Sequence, residues 1–376
     1  MTGALYATRK KRFFGSSPLI LSASFLALFG ILMQYCASSY NAQIQTGDEF
    51  FFVKKQALAA VAAFACMFVL SRTDIKKLAK FAPAALVIAI AALAAVFIPG
   101  LGVERYGATR WLNLGIATVQ PSEFAKFALV LFISAVAARD RKLRAGSFAL
   151  IAFAAGSVCL LIMLEPNMSI TVLVALVTVF MLFAIGVKLR WFALLAVPAA
   201  AALVVLITLE PYRIKRLLAF LDPWSSPLAE GYQLIQSYYA LGSGGWFGVG
   251  LFNSRQKYLF LPFAESDFVF SIVGEELGLI GCALVIAVFC VLIASGFRIA
   301  ARADNRFEAF FAAGITAVIA LQTLLNIAVV TGSIPPTGLP MPFLSSGGSS
   351  LLMFMSAVGA LDGIARSQSG DPGHKM

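Results

Sequence analysis

The feature that most restricts this chain is a series of apolar runs, each close to twenty residues, separated by short polar or basic connections. A bilayer core takes about 20 residues of helix to cross. Inside it every backbone N–H and C=O must find its partner within the protein, and for long single runs only a helix achieves that. Ten runs qualify: Ser17–Tyr40, Phe51–Leu70, Leu78–Phe97, Pro121–Ala138, Ser147–Leu164, Met168–Val187, Trp191–Leu209, Phe268–Phe297, Phe307–Val330 and Ser346–Ile364. The expected fold is an all-α polytopic membrane protein of about ten transmembrane helices. Composition agrees, with 60% hydrophobic and 12% charged residues, where soluble domains average about 45–50% and about 25%.

The formal charge of +11 would suit a nucleic-acid binder, but its distribution does not. The basic residues cluster on alternate connections: Arg9 to Arg12, Arg72 with Lys76 and Lys77, Arg139 with Arg141, Lys142 and Arg144, Lys188 with Arg190, and Arg298 with Arg302 and Arg306. The positive-inside rule places those connections, and both termini, in the cytoplasm. Nucleic acid is therefore not expected as a partner. Lys54 and Lys55 break the pattern; they either snorkel to headgroups or meet an anionic ligand. Residues 1–16 read as a cytoplasmic segment, 17–366 as the transmembrane domain and 367–376 as a cytoplasmic tail. The charged start resembles a signal peptide, but the apolar run behind it is long and lacks a small-residue cleavage site, so a retained first helix is expected.

The five cysteines lie in apolar runs without CxxC spacing, and the single histidine, His374, sits in the tail. A Cys/His zinc site or histidine catalysis is not expected. The Gly/Pro-rich and polar motifs fall instead on the face opposite the basic clusters: 99–120, the Glu165-Pro166-Asn167 turn, 331–345, and above all the large loop 210–267 between helices seven and eight. Chemistry or binding is expected there, outside the cytoplasm.

Several constellations stand out. Gly107–Gly115 carries Arg110 and Trp111, and Val119–Lys126 carries Glu123 and Lys126 on one helical face. The pair either forms a buried ion pair or offers Lys126 to phosphate oxygens. Glu165 either caps a helix or sits in headgroup water. Arg213, Arg216, Arg255 and Lys257 either form a solvated face or grip a diphosphate, for which guanidinium is suited. The glycines of Gly242–Gly250 permit tight turns or close approach to a ligand. Asp267 opens the helix after the large loop, as a first-turn acid or as something more. Glu275 and Glu276 follow about 12 Å deeper at 1.5 Å per residue, where charge is costly unless paired or facing a cavity. Thr331–Ser350 holds too much Pro and Gly for a plain helix at membrane depth, so it should line a cavity or be buried in protein.

Together GATRWLNLG, QPSEFAK, GYQLIQSYYALGSGGWFGVG, NSRQK, SDFVFSIVGEELG and PPTGLPMPFLSSGGSSL resemble the SEDS family, the FtsW/RodA/SpoVE polymerases of the bacterial cell wall. The Glu165-Pro166 turn and the Asn253–Lys257 run look more like the division branch, FtsW, than RodA. The resemblance implies polymerisation of lipid II into β-1,4 glycan strands at the outer face of the inner membrane. It implies a class B penicillin-binding protein and other divisome membrane proteins as partners. The family's aspartate falls on Asp267, expected to be catalytic as a general base. The substrate-binding set is Arg110, Trp111, Glu123, Lys126, Arg213, Arg216, Lys257, Glu276, Ser345 and Ser349. Diphosphate chemistry leaves room for a divalent cation, Mg or Mn, although no carboxylate cage is evident. A lipid II flippase and a non-catalytic divisome scaffold are the competing readings. The chain departs from the family pattern where Asn167 replaces an aspartate and Ser169 a glycine, where Ser346 replaces a tyrosine, and where Phe263 and Glu265 replace a glutamate and a histidine.

Overall fold

The computed structural model describes residues 17–105, 108–115, 118–140, 143–188, 190–192 and 211–369, without the side chains at 105, 211–213 and 369. Nine helices among them are long and apolar enough to cross a membrane. They are α1 Ser17–Thr46, α2 Phe51–Ser71, α3 Ile75–Ala95, α4 Pro121–Arg139, α5 Ala145–Leu164, α6 Met168–Ile185, α9 Val269–Arg302, α10 Arg306–Val330 and α11 Gly348–Ser369. The tenth expected span, Trp191–Leu209, lies almost wholly outside the described residues.

The helices begin where the sequence supplies caps. Asp74 accepts from Lys76 N at α3, Asn167 from Ile170 N at α6, and Asn305 from Glu308 N at α10. Pro121 occupies the first turn of α4, where its missing N–H costs nothing. Burial then sorts the bundle. In α4 83% of the span is buried, against 17% in α2 and 22% in α3, so α4 is the hub and the other two face lipid. The consecutive helices α2 and α3 part company: α2 packs on α11 and α1, while α3 packs on α4 and α5.

The connection 99–120 contains an antiparallel sheet of β1 Gly102–Arg105, β2 Ala108–Asn113 and β3 Thr118–Val119, with Val103 opposite Trp111 and Leu112 opposite Val119. β-Branched and aromatic residues favour this pairing. The described part of 210–267 holds two helices, α7 Pro211–Leu221 and α8 Tyr232–Gly244, with a 3₁₀ turn at Pro223–Ser225 between them.

The glycine-dense segment after α8 has a structural task. Helix α9 is broken at Gly278, whose φ is 65° and ψ −165°. A break at membrane depth frees backbone groups that lipid cannot satisfy. The chain at 245–250 supplies them. Val249 N donates to Glu275 O at 2.9 Å and Gly250 N to Glu276 O at 3.0 Å, while Leu279 N reaches Gly245 O at 2.9 Å and Ile280 N reaches Trp246 O at 3.2 Å. Gly248, at φ 81°, lies so close to Glu276 that any Cβ would enter its carbonyl. The close approach expected of these glycines is thus to another stretch of backbone.

Candidate active site

Asp267 precedes α9 on a turn in which its N–H donates to Phe263 O at 3.2 Å. The following Pro-rich loop wraps this turn. Ser345 Oγ accepts from Met341 N at 2.7 Å and donates to Ser266 O, and Ser346 N donates to Glu265 O at 2.8 Å. Ser345 therefore pins the Asp267 turn through its backbone. The Ser346 contact is made by the main chain, so it does not require the tyrosine hydroxyl common in the resembling proteins. Gly338 approaches the carboxylate so nearly that a Cβ there would stand 3.1 Å from Asp267 Oδ2.

Two arginines converge on this point. Arg216 on α7 reaches Pro336 O at 3.4 Å. Arg110 on β2 donates through Nε to Glu165 O at 3.1 Å and through Nη2 to Pro166 O. Asp267 is half-buried. Burial pushes its carboxyl up to about 6, Glu265 adding to the effect, while Arg110 and Arg216 pull it down. The group is ionised at neutral pH, yet more basic than a solvated aspartate.

The α5–α6 turn thus holds Arg110 by its carbonyls, not by its carboxylate. The Glu165 side chain is fully buried with neither oxygen hydrogen-bonded. Burial raises it to about 8, with Arg110 opposing, so it is mostly neutral at pH 7. Asn167, in place of an aspartate, still caps α6.

The remaining expected site residues lie elsewhere. Trp111 follows Arg110 on β2 and so faces the other side of the sheet. Glu123 and Lys126 pair at 3.0 Å with side chains 1% exposed, and Lys126 Nζ also donates to Gln322 Oε1 at 2.8 Å. Its donors are taken up inside the bundle, so no diphosphate oxygen reaches it in this conformation. Lys257 donates to Phe252 O and lies 5.4 Å from the Tyr258 ring, buried. Glu276 accepts from Ser254 N at 3.2 Å, and Glu275 accepts from Arg255 N at 2.9 Å and from Ser254 Oγ. These two carboxylates grip the 254–257 turn through its backbone and Ser254, so Lys257 is turned inward while the Arg255 side chain stays exposed. Ser349 Oγ accepts from Gln120 N at 3.4 Å, tying α11 to the start of α4. The Arg213 side chain lies outside the described residues.

Two residues at the site carry no motif. Asn326 Nδ2 donates to Asp267 O at 2.8 Å and to Leu339 O at 2.7 Å, and Gln322 Nε2 donates to Pro340 O at 2.8 Å. Both are on α10, fully buried and one turn apart. Polar side chains at i and i+4 inside an apolar helix were the signal that could have found them. Among the described residues no group of three His, Cys, Asp or Glu could hold a metal ion.

Comparison with known proteins places these features in context. Residues 17–370 match the FtsW/RodA/SpoVE family, described as cell cycle proteins. The chain is 38% identical to stage V sporulation protein E of Bacillus subtilis (strain 168), over 93% of this chain and 96% of that one. It is also 38% identical to a probable peptidoglycan glycosyltransferase FtsW of Geobacter metallireducens, over 94% and 95% respectively. A chain from a structure of a peptidoglycan synthase complex, in which polymerization and crosslinking are coordinated, superposes with a TM-score of 0.77 at 26% identity, covering 94% of this chain and 98% of that one. With its helical bundle, its Asp267 turn and this match over nearly its whole length, the chain belongs to the FtsW/RodA/SpoVE family.

Proposed function

We propose that this protein is a peptidoglycan glycosyltransferase that polymerises lipid II into β-1,4 glycan strands at the outer face of the bacterial cytoplasmic membrane, in septal synthesis during division. The observation that carries this reading is a carboxylate with a pKa of about 6, set against a glycine and faced by two arginines from different elements. A base works best with a pKa near the operating pH. Asp267 accepts the proton of the acceptor 4-hydroxyl as that oxygen attacks the anomeric carbon. The bond to the diphosphate breaks, the configuration inverts, and the diphosphate leaves as an anion. Arg110 and Arg216 stabilise the charge on it, the kind of contribution that is often the largest in catalysis. A divalent ion, Mg²⁺ or Mn²⁺, would arrive with the diphosphate and neutralise part of its charge, since no group of three acids among the described residues could hold one. The lipid tail would lie in an apolar groove between helices. A class B penicillin-binding protein is the expected partner, supported by the synthase complex that the chain resembles.

The test is gel-resolved polymerisation of labelled lipid II by detergent-purified protein, alone and with its class B partner. Wild type should give polymer, and Asp267→Asn should fold and give none, a loss of about 10²-fold or more. Polymer from the mutant at the wild-type rate removes the base. No polymer from folded wild type in either preparation, with lipid II intact, would return the flippase and scaffold readings.

A further inference from the structure

The Pro-rich loop has a difficulty that its sequence creates. Pro335, Pro336, Pro340 and Pro342 have no N–H, so the loop cannot knit itself together as a ladder. Its carbonyls at membrane depth need donors from elsewhere. Helix α10 provides two such donors, one turn apart. Gln322 takes Pro340 O and Asn326 takes Leu339 O. Lys126 in turn donates to Gln322 Oε1, and Glu123 holds Lys126. This forms a chain of contacts from α4 through α10 to the loop.

Asn326 does more than support the loop. Its second N–H donates to Asp267 O at 2.8 Å. Leu339 follows Gly338, the glycine facing the Asp267 carboxylate. One carboxamide therefore fastens together the two chain segments that meet at the candidate base. Its orientation is unambiguous, because the flipped amide would aim its oxygen at two carbonyls. Oδ1 itself is buried without a hydrogen-bond partner, so the side chain is committed to its donor role. An aspartate, which offers no N–H when ionised, cannot replace it.

We propose that Asn326 is a positioning residue for the transferase reaction, fixing Asp267 against Gly338 so that the carboxylate meets the acceptor hydroxyl, with Gln322 and Lys126 as a supporting rung. This rests on the transferase reading above. It also gives Glu123 and Lys126 a task in the site without contact to substrate. The groups around Asp267 that share its electrostatics are Arg110 from β2, Arg216 from α7, and Glu265 and Ser266 on its own turn. None of these is a partner of Asn326 in the structure. Loss of Asn326 should let the turn relax toward solvent while those charges stay in place.

The experiment uses the full chain in detergent, with its class B partner where polymerisation requires it, and labelled lipid II between pH 5 and 8. The variants are Asn326→Ala, Asn326→Ser and, as a control for the chemistry, Asp267→Asn. In Asn326→Ala we expect kcat to fall about 10²-fold, the scale of a 1 Å misplacement, with KM for lipid II unchanged. The acid limb of the pH profile should move below its wild-type position near 6, toward the ordinary aspartate range. A merely structural role would lower the folded yield and leave that limb where it is. Asn326→Ser keeps one donor, should behave as an intermediate, and carries the test if the alanine variant does not fold. A folded variant with wild-type kcat and an unmoved limb overturns the proposal while polymerisation by wild type keeps the transferase reading intact. If wild type makes no polymer, amide exchange at Met341, whose N–H is held by Ser345, still decides: faster exchange in Asn326→Ala supports the clamp, and unchanged exchange removes it.

Discussion

Replacing Gly248 by alanine should damage the protein far more than a methyl group ordinarily would. Gly248 has φ 81°, where an L-residue is disfavoured by about 1–2 kcal/mol. Its Cβ would stand 2.6 Å from Leu277 N and closer still to the Glu276 carbonyl. Both are backbone atoms of α9 and cannot swing aside like a side-chain tip. The loop would have to withdraw, and the four hydrogen bonds that close the break at Gly278 depend on its position. At about 1 kcal/mol net for each, the combined loss is about 5 kcal/mol, comparable with the whole stability of many domains. Gly242 supplies the contrast. It lies within α8 with nothing near its Cβ direction, so Gly242→Ala should be neutral or stabilise by up to about 1 kcal/mol. Thermal unfolding of the two detergent-purified variants, followed by the loss of the monodisperse chromatographic peak, compares them directly. Equal melting temperatures for Gly248→Ala, Gly242→Ala and wild type would refute the reasoning that this junction holds α9 together.

Three further outcomes are expected. The buried Glu165 carboxyl titrates near 8 in the folded state, against an ordinary 4.5. The folded chain therefore binds that proton more tightly, and the stability this contributes is fully present below about 4.5 and lost as pH rises through about 8. In that window the slope is about 1.4 kcal/mol per pH unit. Glu165→Gln should thus gain on wild type from pH 5 to 8 in denaturation assays, and a constant gap would contradict the burial argument. Lys126→Met should cost about 3–5 kcal/mol by stranding the Glu123 carboxylate, while the double variant Glu123→Leu/Lys126→Met recovers most of it; a double-mutant cycle measures the coupling. Asn167→Asp should leave the melting temperature almost unchanged, since asparagine and aspartate cap helices about equally well.

Much of this molecule could be read from its residues because bilayer depth leaves few choices. The apolar runs became α1 to α6 and α9 to α11 with shifts of a few residues at their ends. Asp267 was identifiable by the resemblance, and the structure sets Arg110 and Arg216 around it. Glu275 and Glu276 were correctly seen as too deep for solvent. What meets them, however, is the 254–257 turn some twenty residues earlier, a docking event that no local pattern encodes. Lys257 misled for the same reason, since a lysine in a polar run looks exposed until the run is seen to pack. The sheet at 102–119 escaped because its strands are two to six residues long, too short for alternation to show. Asn326 lay in plain view in α10, and only the carbonyls that it meets reveal what it does.

The break at Gly278 bears on how the protein enters the membrane. Residues 279–302 alone rise about 36 Å as a helix, enough to span a bilayer without the stretch before them. That earlier stretch holds the adjacent carboxylates of Glu275 and Glu276, each unfavourable by about 2.5–3.5 kcal/mol if it had to partition at the centre of a spanning segment. The insertion machinery can thus accept the apolar stretch first and leave Val269–Leu277 outside the hydrocarbon. Those residues would settle once the turn at 254–257, synthesised before them, is in place to receive the two acids. Biogenesis would then proceed in two stages, with the Asp267 turn assembled only in the second, so that a half-integrated chain carries no finished site.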